Sequence, residues 1–252
     1  MIRLSKKLKN SVGKSNAKYQ MFEQGDKILL AVSGGKDSLV LAHLMKHFKA
    51  ASPLDWDFKA LSIAYGMGED FSEVESHFKA HDIPYEVLQT QIYKLGKEKI
   101  RANTTFCSFC SRLRRGHLYT YALEHGFNKI AIGHHFDDAV ESFFMNMTYN
   151  GALRTLAPKY KAYNDIVIIR PLILTRESQI IGCANDNILP ILNQEDSCPA
   201  KKESLKSPHA RDKVSEFAKN LESLNPKFYD SLKAAFENIH KDTFFNTEYL
   251  NL

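Results

Sequence analysis

Three short stretches of this 252-residue chain bring chemically useful residue types close together. Ser33-Gly-Gly-Lys-Asp-Ser38 follows the apolar run Lys27–Val32. Gly34 and Gly35 allow close backbone approach and positive φ. The first N–H groups of a following helix would face an anion that the macrodipole also favours. Ser33 and Ser38 add hydroxyls, Lys36 a charge and Asp37 a carboxylate suited to Mg²⁺. The GxxxxGK[ST] spacing that serves γ-phosphate transfer is missing. An ordinary glycine turn before a capped helix would need only part of this hexapeptide, so phosphate binding by Ser33, Gly34, Gly35, Lys36, Asp37 and Ser38 is the reading adopted.

The second stretch is Cys107-Ser-Phe-Cys110, with Cys198 following in Glu195-Asp-Ser-Cys-Pro-Ala. Three uses compete: an iron–sulfur cluster on Cys107, Cys110 and Cys198 with one iron left open, zinc with a histidine as fourth ligand, or disulfide exchange and persulfide chemistry on the pair. Structural zinc favours two tight ligand pairs, and the second pair is missing, so an odd set of three thiolates leans toward the cluster. Cys183, in Ile180-Ile-Gly-Cys-Ala, reads as a small buried hydrophobe.

Gly133-His-His-Phe-Asp-Asp138 is the third. At the carboxyl end of a strand, His134, His135, Asp137 and Asp138 would face a ligand cleft. Asp137 or Asp138 suits a metal or ribose, and His135 a phosphate or base. The competing use is helix capping, for which Asp137 is a natural residue.

Elements that must position these groups follow from hydrophobic spacing. Helices are expected at 3–22, 38–48, 71–81, 110–126, 139–150 and 176–185, and strands at 27–32, 58–65, 85–88, 129–132 and 166–169. Strands alternating with helices imply an α/β fold with a doubly wound parallel sheet, whose ligands sit beyond the carboxyl ends of the strands. From about residue 200 the pattern is helical only (209–223 and 227–240), which suggests a helical cap. The domain reading is a basic N-terminal helix (1–24), a nucleotide-binding domain (25–200) and a helical extension (201–252).

Composition fits an ordinary globular chain, with 44% hydrophobic and 25% charged residues. Net charge is +5, which permits a polyanionic partner without requiring one. No apolar stretch approaches the roughly 18 residues that cross a bilayer. The charged N-terminus lacks the apolar core of a secretory signal, so the expected location is cytoplasmic, with no membrane partner.

SGGKDS is the hexapeptide of the PP-loop ATP pyrophosphatases, which cleave ATP between the α- and β-phosphates. With Leu4-Ser-Lys-Lys-Leu-Lys, Glu23-Gln-Gly-Asp-Lys27, Thr105-Phe-Cys-Ser-Phe-Cys-Ser-Arg-Leu-Arg-Arg-Gly116, GHHFDD, Asn146-Met-Thr-Tyr-Asn-Gly151 and Ile169-Arg-Pro-Leu172 in order, the chain resembles the tRNA 2-thiocytidine synthetases, the TtcA group. The resemblance spans about residues 4–200. It implies an adenine nucleotide alpha-hydrolase-like fold and thiolation of a cytidine at anticodon-loop position 32. It also implies ATP, Mg²⁺ and a [4Fe–4S] cluster on Cys107, Cys110 and Cys198. Lys36, Asp37, Asp137 and Asp138 would be catalytic, with Asp37 on Mg²⁺ and His135 at the nucleotide. Implied partners are tRNA and a sulfur donor such as a cysteine desulfurase, with a homodimer as an open option. Arg112, Arg114 and Arg115, the lysines at 6, 7, 9, 14 and 18, and Tyr149, Arg154 and Lys159 are candidates for RNA contact, against the alternative of solvated surface. Two features depart from the family: Ser197-Cys198-Pro199 stands where a second CxxC-like pair is common, and Ser62-Ile-Ala-Tyr-Gly-Met-Gly68 lacks an acidic residue at the end of the second strand. Rival readings are a zinc-containing 2-thiouridine enzyme, a lysidine synthetase or amidating ligase, and a sensor with a vestigial site.

Overall fold

The structure, a computed structural model, describes residues 2–99, 106–193, 209–245 and 248. Six strands form one sheet: β1 (Lys27–Val32), β2 (Asp57–Ala64), β3 (Tyr85–Gln89), β4 (Lys129–Ile132), β5 (Lys159–Lys161) and β6 (Val167–Ile169), in the order β3-β2-β1-β4-β6-β5. All neighbours pair in parallel except β5 with β6. Ile28–Val32 are all buried, as expected of a central strand covered on both faces.

The helices are α1 (Lys6–Tyr19), α2 (Lys36–Ala51), α3 (Ser72–Ala80), α4 (Ile92–Lys99), α5 (Phe106–Glu124), α6 (Phe136–Tyr149), α7 (Glu177–Asp186), α8 (His209–Leu224) and α9 (Phe228–Ala235). Ser5 caps α1 by accepting the Leu8 N–H at 3.2 Å, and Gln20 closes it in the left-handed region. Residues 38–45 of α2 are buried without a break, so this helix has almost no solvated face until its last turns. The doubly wound parallel sheet expected from the sequence is the one found. Two elements escaped that reading: α4, whose apolar pattern is short and broken by Gly96, and β5, a three-residue edge strand. Helix α5 also starts at Phe106, which puts positions 107 and 110 in its first turns.

The chain clusters into two compact units, residues 1–139 with 156–207, and residues 140–155 with 208–252. In the first, Cys183 is buried on α7, and the stretch Glu23–Lys27 forms a charged knot. Lys129 Nζ, itself buried, lies 2.6 Å from both Asp26 Oδ2 and Glu23 Oε2 and donates to the Met21 carbonyl at 3.1 Å. Burying Lys129 and Asp26 is tolerable because each meets an opposite charge and further hydrogen bonds. In the second unit aromatic packing dominates: Phe144 meets Phe217 edge-on at 5.3 Å, and Phe143 meets Phe236 at 5.2 Å.

Candidate active site

Strand order reverses direction between β1 and β4, and the two polar loops leave those adjacent strands at the same end. Ligands bind at such a crevice in open parallel sheets. Gly133 has a packing reason to be glycine. A β-carbon there would lie 3.2 Å from the Ser38 nitrogen and 3.3 Å from the Asp37 carbonyl carbon. Gly34 has φ +78°, and a β-carbon there would overlap the Leu192 side chain.

The SGGKDS loop is braced by its serines. Ser38 Oγ donates to the Gly35 carbonyl at 2.9 Å and accepts the Ser33 N–H at 3.2 Å. Gly35 occupies the N-cap of α2, and among the described residues no side chain caps it. The helix therefore presents uncapped N–H groups to the crevice, the arrangement that accepts an anion.

Asp37 sits in the next position. Its Oδ1 is buried and accepts no hydrogen bond among the described residues, although Lys36 Nζ is 3.3 Å and His135 Nε2 3.7 Å away. Burial pushes the Asp37 carboxyl up, against the pull of the Lys36 charge. A buried carboxylate oxygen left unbonded is costly unless a ligand completes it. Lys36 reaches across to Glu177 Oε1 at 2.8 Å. Burial alone would lower the Lys36 pKa, but the hydrogen bond it donates to Glu177 and the charge of Asp37 override it and hold the ammonium charged. Burial works to raise the Glu177 carboxyl, and Lys36 overrides it downward.

The GHHFDD residues divide their tasks. His135 is buried. Its N–H donates to Asp138 Oδ2 at 3.0 Å, and the Asp138 N–H donates back to His135 Nδ1 at 3.3 Å. This reciprocal cap opens α6 and leaves the imidazole proton on Nε2, 3.4 Å from Asp138 Oδ2 and 3.7 Å from Asp37 Oδ1. Asp137 accepts the Glu177 N–H at 2.8 Å and Arg176 Nε at 3.1 Å, so it caps α7 rather than its own helix. His134 Nδ1 accepts Arg170 Nε at 3.0 Å.

A cavity of about 380 Å³ opens from the loop. Ser33, Gly35, Lys36 and Asp37 form one wall and Ile63, Tyr65 and Phe71 an apolar one, while Arg114 and Leu192 also line it. Arg114 lies on α5, four residues after Cys110, hence on the same side of the helix. Cys110 is buried at 4% exposure. The Cys107 side chain and Cys198 lie outside the described residues. Leu192 donates its N–H to the Gly34 carbonyl at 3.0 Å and so packs on the phosphate loop.

Sequence reasoning missed Glu177, Leu192 and the apolar wall. Glu177 carries only the generic signal of an acidic residue in a first helical turn, and Leu192 carries none. Just beyond β2, Glu69 accepts the N–H groups of Tyr65 and, at 2.8 Å, Met67. Lys159 is not a free loop residue, for it lies on β5 and bonds Glu23 Oε2 at 2.8 Å and the Gln20 carbonyl at 2.6 Å. Arg112, Arg115 and Lys6, Lys7, Lys14 and Lys18 are exposed, with Lys9 partly so. Tyr149 is exposed, and Arg154 Nε donates to Asn146 Oδ1 at 2.7 Å in the second unit.

Residues 3–197 match the model of the PP-loop domain family. The tRNA-cytidine(32) 2-sulfurtransferase of Geobacter metallireducens is 39% identical over 236 residues, covering 93% of this chain and 90% of that one. The chain belongs to the PP-loop family, among the tRNA-cytidine(32) 2-sulfurtransferases. The sulfurtransferase of that name from Coxiella burnetii strain RSA 493 is 36% identical over 251 residues, 99% of this chain and 96% of that one. Among solved structures, the U34-tRNA thiolase NcsA from Methanococcus maripaludis with its [4Fe-4S] cluster superposes with a TM-score of 0.72 at 23% identity, over 94% of this chain and 80% of that one. The NH3-dependent NAD synthetase of Campylobacter jejuni gives 0.51 at 17% identity, over 92% and 93%. These two likenesses establish a shared fold. The resemblance read from the motifs is thereby borne out. Among the described residues no helix is long and apolar enough to cross a membrane.

Proposed function

We propose that the chain replaces O2 of cytidine 32 in tRNA with sulfur, at the cost of converting ATP to AMP and pyrophosphate. The carrying observation is that Arg114, on the helix of Cys107 and Cys110, lines one cavity with Ser33, Gly35, Lys36 and Asp37. A cavity wall contributed by the cysteine-bearing helix supports a common place for nucleotide and thiol chemistry.

The uncapped N-terminus of α2, the loop serines and Lys36 bind the β- and γ-phosphates, with Lys36 exchanging Glu177 for phosphate. Adenine fits the apolar wall of Ile63, Tyr65 and Phe71. The unbonded Oδ1 of Asp37 suits Mg²⁺, an oxygen-seeking cation, and His135 Nε2–H faces the same point. Asp138 fixes the His135 tautomer, and Asp137 holds the start of α7 and with it Glu177. Cytidine O2 attacks the α-phosphorus and pyrophosphate leaves. Hydrosulfide then attacks C2 and loses its proton as AMP departs with the original oxygen, so sulfur drawn from a desulfurase persulfide must first be reduced by two electrons from a thiol-class reductant. Charge building on the α-phosphate is absorbed by Lys36 and the loop N–H groups.

Cys110 fits a cluster ligand by its burial and by sharing a helix side with Arg114, while Cys107 precedes it by one turn and Cys198 follows in the sequence as the third cysteine of the set. These three would hold a [4Fe–4S] cluster, which when bound supplies an open iron for sulfur. A base must leave its stack to enter the cavity. The exposed lysines of α1 suit tRNA phosphates, and a cysteine desulfurase suits the role of sulfur donor in the cytoplasm.

Nucleoside analysis of tRNA from a deletion strain tests the reading. Loss of 2-thiocytidine, restored by the wild-type gene and not by Cys110→Ala, is expected. Loss of a 2-thiouridine with 2-thiocytidine intact would move the substrate to another base.

A further inference from the structure

Away from the crevice, α2 and α3 bring three imidazoles together. His43 Nε2 lies 2.8 Å from His77 Nε2, the His43 and His81 rings are centred 5.0 Å apart, and those of His77 and His81 4.3 Å apart. One nitrogen of each lies within 4.8 Å of one nitrogen of each of the others. His77 and His81 stand four residues apart at the end of α3, on one side of the helix. None of the three takes part in the nucleotide or thiol chemistry.

An ion would take the place of the proton that the His43 and His77 Nε2 atoms share, and His81 offers a third nitrogen. His81 Nδ1 is 2.8 Å from the His77 carbonyl, which can only accept, so Nδ1 carries a proton and Nε2 is the nitrogen that can offer a lone pair to an ion. A backbone carbonyl holding the far nitrogen is the usual second contact of a metal-bound histidine. His43 is buried, and its Nδ1 has no hydrogen-bond partner among the described residues. Burial pushes the pKa of His43 down to about 3 and that of His77 down as well, with the neighbouring rings adding to the effect, so both stay neutral. Lys46, whose charge also acts on His43, is engaged by the His81 carbonyl and by Asp82 Oδ2 at 3.2 Å.

We propose that His43, His77 and His81 bind a divalent zinc-class ion that clamps α2 to the end of α3. Tetrahedral bonds of about 2.0–2.1 Å place imidazole nitrogens roughly 3.3 Å apart, so the 2.8 Å pair must open by roughly half an ångström while His81 moves in. Three imidazoles leave the fourth position to solvent. His77 also lines a shallow pocket with Ser72, Glu73 and Ser76, through which water reaches it. Because α2 begins at the phosphate loop, the ion would fix the helix that presents this loop.

Zn²⁺ and Co²⁺ titration of the cluster-loaded protein tests the site, since loaded thiols cannot compete. One equivalent should bind, with a tetrahedral cobalt spectrum free of sulfur-to-cobalt charge transfer, and Zn²⁺ should raise Tm. His77→Gln and His81→Gln alter half-buried positions. Each should weaken binding at least tenfold and abolish the Tm gain, while the metal-free Tm stays within a few degrees of wild type. Undiminished binding in both variants, a thiolate cobalt spectrum, or no uptake by the wild type would overturn the proposal.

Discussion

Asp37 has a buried oxygen that accepts no hydrogen bond among the described residues, beside an ammonium that it shares with Glu177. That pairing of an unmet acceptor with a borrowed cation is how a nucleotide site looks when it waits for its ligand. Asp37→Asn should cut pyrophosphate release at least about 100-fold, by removing the metal contact from the reacting phosphate. Iron content should stay at the wild-type value. Unchanged ATP turnover in this variant would remove the metal role. Cys110→Ala should leave ATP binding in place and eliminate iron loading, as read by nucleotide titration and iron analysis. Residue types made the phosphate loop legible in the sequence, because SGGKDS has few other uses at such spacing, whereas the cysteine pair alone left three uses open. Glu177 was not legible, since its partner lies 141 positions away and is reached only through the fold.

At the scale of elements, two loops from neighbouring parallel strands touch, and glycine makes the contact. Gly133→Ala should press a methyl group against the backbone of Asp37 and Ser38 and shift the phosphate loop by a few tenths of an ångström. ATP turnover should fall about tenfold or more with little change in Tm, a split that kinetics and calorimetry read separately. Turnover equal to wild type would show that the loop tolerates displacement. Strand and helix periodicity made β1, α2, β4 and α6 readable, for their apolar residues are long runs or regular faces. Helix α4 and strand β5 were invisible because eight and three residues carry too little pattern. Glu23-Gln-Gly-Asp-Lys27 carried resemblance before it carried meaning: its acids are there to hold the buried Lys129 of β4.

For the whole molecule, that knot sets an acid limit. Hydrogen bonds from Lys129 and then Lys159 hold the Glu23 carboxyl down at about 2. A carboxyl depressed in the folded state stabilises fully above its unfolded pKa, and the gain is lost as pH falls through the folded value. Wild-type Tm should therefore drop between pH ~4.5 and about 2, and Glu23→Gln should lower Tm at neutral pH while flattening that drop. An equal slope in both proteins would mean the acid transition lies elsewhere. The basic face of α1 belongs to the same scale: replacing Lys6, Lys7 and Lys14 by alanine should lower the slope of log affinity for tRNA against log salt by roughly 0.7–0.9 per lysine in phosphate contact. A slope unchanged by the triple replacement would mark that face as plain surface.

The central claim is that the cytidine oxygen itself is adenylated in the cavity shared by the phosphate loop and Arg114. Transfer RNA carrying ¹⁸O at O2 of cytidine 32 tests this most directly, with the released AMP read by mass spectrometry. One ¹⁸O atom in each AMP, in step with 2-thiocytidine formed, is the predicted result. Thiolated tRNA accompanied by AMP without the label would contradict it.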